Sequence, residues 1–283
     1  MRIVAIVGSY NEALYVRPCL DHYIAQGVEV FLIDNESQDD TVEIAREYLG
    51  RGLIGIEIMP RHGEFRLEEQ LRRKEAVAER VKADWFLHAD MDEIRLPPAG
   101  EGTLASAIAE ADRAGYSAIN FRTYLFLPTV EEPDHEHEDF QRTMRWYCYM
   151  EPAYPHQVKG WRQPAGWGPA QPLRHLLYRR GLIGPRAQLA RSAGHRVEFP
   201  GRRLSPRDFI LKHYQVLSLR HAIEKYVDKS FSSAEMARGW HGWKAVAERH
   251  NLRLPHQSEL RAFVSDAALD RSEPQLRTPM FVG

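Results

Sequence analysis

The chain has 283 residues, 43% of them hydrophobic and 27% charged, with 38 basic side chains against 39 acidic ones. This is ample for one large or two modest globular domains with a sizeable core, and a net charge of −1 gives no case for nucleic acid or bulk membrane attraction. Cys19 and Cys148 lie far apart without metal-type spacing, so a disulfide framework is not expected, and no apolar run reaches the length of a membrane span.

Taken in order, Arg2 to Val7 reads as a continuous apolar strand. Because it begins so early, no room is left for a signal peptide, and a reducing, cytoplasmic home is the expectation. The strand breaks at the turn-prone Gly8-Ser9-Tyr10-Asn11-Glu12. A helix should follow with Pro18 in its first turn, Val16, Leu20, Tyr23 and Ile24 along one face, and Gly27 as its stop. Val28 to Ile33 is a second strand, ending in Asp34-Asn35-Glu36-Ser37. Asp40 is placed to N-cap the next helix, with Glu43 three residues on. Leu53 to Met59 forms a third strand, residues 63–82 a strongly charged helix, and Trp85 to Ala89 a fourth strand. The alternation of strand and helix predicts an α/β fold with a doubly wound, mostly parallel sheet flanked by helices.

The fourth strand runs straight into Asp90-Met91-Asp92-Glu93. Acids at the carboxyl end of a buried parallel strand lie where open α/β sheets bind ligands. In extended backbone Asp90 and Asp92 share a face. Two hard oxygen donors there suit Mg2+ or Mn2+ held together with substrate phosphates; a solvated acidic turn is the plainer alternative. Asp34 could likewise do no more than start a turn. The basic run Arg66, Arg72, Arg73 and Lys74 reads as a solvated helix face more readily than as a phosphate clamp, with Arg66 nearest the loop.

Together, Ser9-Tyr10-Asn11-Glu12, the stretch from Leu32 to Thr41 (LIDNESQDDT), and Asp84-Trp85 with Asp90-Met91-Asp92-Glu93 resemble a bacterial family-2 glycosyltransferase with the GT-A fold. The likeness covers most of residues 1–130 well, Gly115 to Phe126 included, and returns in patches up to about Lys229, at Leu211-Lys212-His213-Tyr214 with Ser218, His221 and Lys225. It implies an inverting, divalent-metal-dependent transfer of a sugar from a nucleotide-diphosphate sugar to a hydroxyl of a glycan, a lipid-linked molecule or a small molecule. The first loop (Ser9, Tyr10, Asn11, Glu12) and Asp34 would surround the base, with Arg66 on the phosphate side. Asp90 would lie near the ribose. Asp92, with Asp90 and a late histidine, His213, would hold Mn2+ or Mg2+. UDP is the default nucleotide, with GDP and dTDP as options. Inversion needs a carboxylate base, and Asp134, Glu138 and Asp139 are candidates by position. A nucleotidyltransferase-like enzyme and a non-catalytic nucleotide- or sugar-binding module are the rival readings; the first loop lacks the glycines and basic residues a triphosphate would want.

Residues 1–216 are expected to form the catalytic domain, with 127–208 as acceptor-side insert and loops, and 217–283 a helical extension packed on it. The run from Glu131 to Asp139 reads as a solvated loop over the site. Trp146, Tyr147, Tyr149, Tyr154, Trp161 and Trp167 could line a sugar site or simply fill a core. Trp240 and Trp243 are expected to pack the extension on the sheet, with a peripheral contact at the inner membrane face or a partner contact as the alternative. The role of the turn at His195 and Arg196 and the oligomeric state, homodimer included, stay open.

Overall fold

The structure is a computed structural model describing residues 1–151, 157–166, 168–241, 244 and 246–282. The expected parallel unit is present: β1 (Ile3–Ser9), α1 (Ala13–Ala25), β2 (Glu29–Asp34), α2 (Thr41–Arg46), β3 (Leu53–Ile58), α3 (Leu67–Arg80) and β4 (Trp85–Asp90). Strands pair in the order β3-β2-β1-β4, all parallel. Successive residues of β1 feed opposite cores: Ile3, Ala5 and Val7 pack with Val16 and Leu20 of α1, whereas Val4 and Ile6 pack with Leu71 and Val77 of α3.

Beyond β4 the sheet becomes mixed: its further pairings are antiparallel except that of the sixth and ninth strands, which is parallel. A short β5 (Glu93–Leu96) is followed by α4 (Leu104–Arg113), which starts in a capping box of Thr103 and Ser106. Next come β6 (Ala118–Phe126), α5 (Phe140–Thr143), β7 (Trp146–Met150), β8 (Gln157–Arg162), α6 (Gln171–Arg179) and β9 (Leu204–His213). β8 lies between β4 and β6 and runs against both, and β7 continues along β6. The 127–208 stretch thus adds β7, β8 and the start of β9 to the sheet, while most of its other described residues are loops and the short helices α5 and α6. Of the aromatics named above, Tyr147, Tyr149 and Trp161 are core and Trp146 is half-buried; Trp161 stacks on Phe86 at 5.7 Å. Tyr154, Trp167 and Trp243 lie outside the described residues.

Several local expectations are corrected. Pro18 sits inside α1, not in its first turn. Asp40 makes no side-chain cap; Asp39 instead accepts from the Thr41 N–H and hydroxyl and from the Ala13 N–H, tying α2 to the start of α1. Gly27, at φ 73°, does close α1, with the Val28 N–H reaching back to the Tyr23 carbonyl. Among the described residues, helical structure after residue 217 is limited to α7 (Leu219–Ala222), which continues as a wider π-type turn over Ile223–Val227, α8 (Ser233–Ala237) and single 3-10 turns. β10 (Arg261–Ala262) then pairs with β7, so the C-terminal part extends the same sheet.

Candidate active site

Parallel pairing lines up the ends of three strands. Ser9 lies opposite Asp34, and Gly8 opposite Asp90, so the polar residues that follow each strand meet along one edge. Asp34 is fully buried and both its oxygens are engaged: Oδ1 accepts from the hydroxyls of Ser9 (2.9 Å) and Ser37 (2.5 Å), Oδ2 from the Ser37 N–H (2.8 Å). Asn11, at φ 53°, accepts from the Gln38 N–H at 2.8 Å, while its own N–H donates to Ser37. Asp34 and Asn11 thus lock the first two loops together. Above them the Arg61 guanidinium lies 3.6 Å over the ring of Tyr10 and donates to Asn35.

At the end of β4 the chain does not stay extended. Met91 and Asp92 form a turn and Glu93 opens β5, so Asp90 and Asp92 face different partners. Asp90 takes Lys74 at 3.0 Å. Lys74 is fully buried and also donates to the Ala89 carbonyl; it is not part of a solvated face. Its amine stands 3.0 Å from Nδ1 of His88, and burial, reinforced by that positive charge, holds the imidazole neutral, its pKa well below the ordinary value. Burial resists ionisation of Asp90, but Lys74 and its basic neighbours outweigh it and hold the carboxyl below its usual range. Glu93 braces the turn, its carboxylate bonded to Arg95 (2.6 Å), Lys159 (2.8 Å) and the Asp90 N–H (3.1 Å).

Asp92 faces the C-terminal part of the chain. Lys225 lies 2.9 Å from Asp92 Oδ2 and 2.8 Å from Glu12 Oε1, bridging the first loop and the acidic turn. His213 Nε2 stands 3.4 Å from Asp92 Oδ1 because β5 and β9 pair with Glu93 opposite His213. Asp92 Oδ1 and Glu12 Oε2 are buried without a hydrogen-bond partner among the described residues. Burial disfavours the Asp92 anion, yet Lys225 and His213 keep it ionised well below the ordinary value. Burial pushes Glu12 up to about 7 despite Lys225. Two further amines stand close by. Lys229, brought down to about 7 by burial and its neighbours Lys225 and Arg61, lies 4.2 Å over Phe65, and Lys244 lies 5.1 Å over Tyr226.

The other basic candidates stand apart from this cluster. Arg66 is held by Glu64, Arg72 by Glu68, and Arg73 by Glu57 and Glu69. Among the base candidates, Asp134 bridges to Ser218 and caps the Glu136 N–H, Glu138 pairs with Arg17, and Asp139 with Arg142; all three are exposed. Their loop is nonetheless anchored beside the cluster. Phe140 packs on Tyr15 and Tyr214, and Lys225 lies 5.2 Å over Tyr15. Lys225 and His221 belonged to the sequence resemblance without a role. Lys74 stood in the basic run that reads more readily as a solvated face, and Arg61, Lys159 and Lys244 carried no signal as site residues, since only tertiary packing brings them to the edge.

As a metal site the arrangement is a partial fit. Asp92, with its orphaned Oδ1, and the neighbouring His213 are two suitable donors, while Asp90 is turned to Lys74. No group of three or more His, Cys, Asp or Glu that could close a shell occurs among the described residues. Such a pair suits an ion that arrives with the substrate's phosphates.

Comparison with known proteins agrees with this layout. Residues 4–157, more than half the chain, match the family model described as Glycosyl transferase family 2. Among solved structures, the chain is similar to Staphylococcus aureus TarS 1–349 (14% identity, 88% of this chain and 72% of that one, TM-score 0.38). The same fragment in complex with UDP-GlcNAc gives 15% identity over 87% of this chain and 66% of that one, TM-score 0.42. The chain spans 45% of the longer TarS chain. Glucosyl-3-phosphoglycerate synthase from Mycobacterium tuberculosis, with Mn2+, UDP and glucosyl-3-phosphoglycerate, is similar over 44% of either chain (17% identity, TM-score 0.30). No curated protein is similar enough in sequence to be matched. From the family match, with the acids, loops and strand ends in the order described, this chain belongs to glycosyl transferase family 2 and is a glycosyltransferase.

Proposed function

We propose that the enzyme moves a sugar, with inversion, from a UDP-sugar to an acceptor hydroxyl, using the edge formed by the first loop, the acidic turn and Lys225. The carrying observation is the buried Glu12–Lys225–Asp92 bridge with one orphaned oxygen on each carboxylate, ringed by Lys229 and Lys244. A diphosphate entering here meets amines already desolvated, where charge stabilisation is strongest. Tyr10 under Arg61 offers a face for the base, and the Asp34–Ser9–Ser37 lock keeps that loop in place. Asp90, nearly half exposed, is free to meet the ribose on its open side. Asp92 and His213 would hold a divalent ion, which when bound supplies Lewis-acid stabilisation of the leaving diphosphate. Lys225, bridging to Asp92, orients that carboxylate and adds a fixed positive charge. For the acceptor's proton, Asp134, Glu138 and Asp139 sit on the loop anchored by Phe140.

The test is a thermal-shift panel of UDP, GDP, dTDP and CDP, each with and without Mn2+. A ligand bound only by the folded state raises Tm by mass action. UDP with Mn2+ is expected to give the largest rise, and Asp92→Asn to remove its Mn2+-dependent part. A larger rise with another nucleotide would reassign the base. Absence of any rise would remove the donor-site reading and favour a binding module of other specificity.

A further inference from the structure

The segment between Glu151 and Glu198 holds no acidic residue yet has eight basic ones, in a chain whose 38 basic and 39 acidic side chains nearly balance as a whole. Its helix α6 is turned inside out. Arg174, which is 4% exposed, points inward to a buried ion pair with Glu79 of α3, while Leu173 and Leu176 stand 51% and 45% exposed and Leu182, just past the helix, 66%. An ordinary surface helix does the reverse. Leu173, Leu176 and Arg180 follow the i, i+3, i+7 spacing of one helix face, and Arg179 adjoins it. Both arginines are exposed, and neither has a carboxylate partner among the described residues.

We propose that this face, Leu173, Leu176 and Leu182 flanked by Arg179 and Arg180, docks the enzyme on an anionic lipid surface. Apolar side chains that enter the headgroup boundary beside unpaired arginines match what interfacial helices use to bind acidic bilayers. Charge decides against a second copy of the chain. A two-fold contact would set the same arginines against each other, with no carboxylate among the described residues paired to them. Placement is also consistent with catalysis at a surface. Arg174 meets Glu79 near the C-terminal end of α3, and Tyr178 lies by Glu75 and Arg72 nearer its start. α6 thus climbs towards the edge where the acids gather, which would present that edge to a lipid-linked acceptor.

The experiment is co-sedimentation of the full chain with vesicles of phosphatidylcholine alone or with a third phosphatidylglycerol, at low and high salt. Binding to the anionic vesicles is expected to exceed binding to the neutral ones by roughly tenfold and to weaken in high salt. Leu173→Ser with Leu176→Ser, and separately Arg179→Gln with Arg180→Gln, should each cut it by about tenfold with Tm unchanged, since the four side chains are exposed. Equal binding of all variants, or none to anionic vesicles, would overturn the proposal. So would a dimer in solution that the leucine changes dissociate, or retention by an acidic protein without lipid binding. The UDP-induced thermal shift is read in parallel, so loss of docking is separated from failure of the donor site.

Discussion

At the scale of single residues, the chemistry turns on a lysine placed between two acids. Lys225→Met would leave Glu12 and Asp92 buried side by side without a counter-charge. Breaking such a bridge from one side costs on the order of 3–5 kcal/mol, read as a lower urea midpoint at pH 8. Because Glu12 can take up a proton, the loss should be smaller at pH 5; an equal loss at both values would show that the carboxylates are not the cause. Glu12 itself makes a second prediction. Its folded pKa, raised to about 7, lies above the unfolded value of 4.5. Its contribution is therefore complete below pH 4.5 and is lost as pH rises through 7, on the order of 3 kcal/mol. His195 and His221 act in the opposite sense. Burial brings them down to about 4 and about 3, so their contribution is present above 6.5 and lost as pH falls. Subtracting the stability profile of Glu12→Gln from that of the native chain isolates the carboxyl, and the difference should decline between pH 5 and 7. Parallel profiles would reject this account.

At the scale of elements, long-range side chains finish what local sequence leaves undone. The start of α3 has no local cap; Glu235, from α8, accepts from the N–H groups of Leu67 (2.9 Å) and Glu68 (2.7 Å) and bonds His241. Glu235→Ala should lower stability by about 1–2 kcal/mol, as loss of an N-cap does, measured as the urea midpoint. An unchanged midpoint would mean that water replaces the cap without loss. In β8, Gly160 lies where a Cβ would come within 2.5 Å of Ile119 and 2.9 Å of Leu87. Gly160→Ala is expected to cost about 1–3 kcal/mol through overpacking between β4 and β6, visible as a fall in Tm.

At the scale of the whole molecule, the C-terminal part belongs to one cooperative unit. Leu252 and Met280 share a core with Leu125, Leu127 and Val216, and β10 extends the sheet through β7. Calorimetry should show a single transition, and a fragment ending at residue 216 should fail to fold stably; two independent transitions would contradict this. The parallel half was legible in the sequence because each of its strands is a short apolar run closed by a polar turn, and its helices carry their own apolar faces. Ser9, Asp34, Asp90 and Asp92 could be placed for the same reason, since a strand end is a local signal. Proline within α1 and the missing cap at Asp40 show where local rules yield to packing. The sequence by itself determined the order of strands and helices through β4 and the acidic edge of the sheet. Only the tertiary structure decided that Lys74 is buried against Asp90, that Lys225 closes on Asp92 from 133 residues away, and that β9 sets His213 beside them. Those contacts depend on strand register and on amines desolvated by distant chain, and neither leaves a periodic trace in the residues themselves.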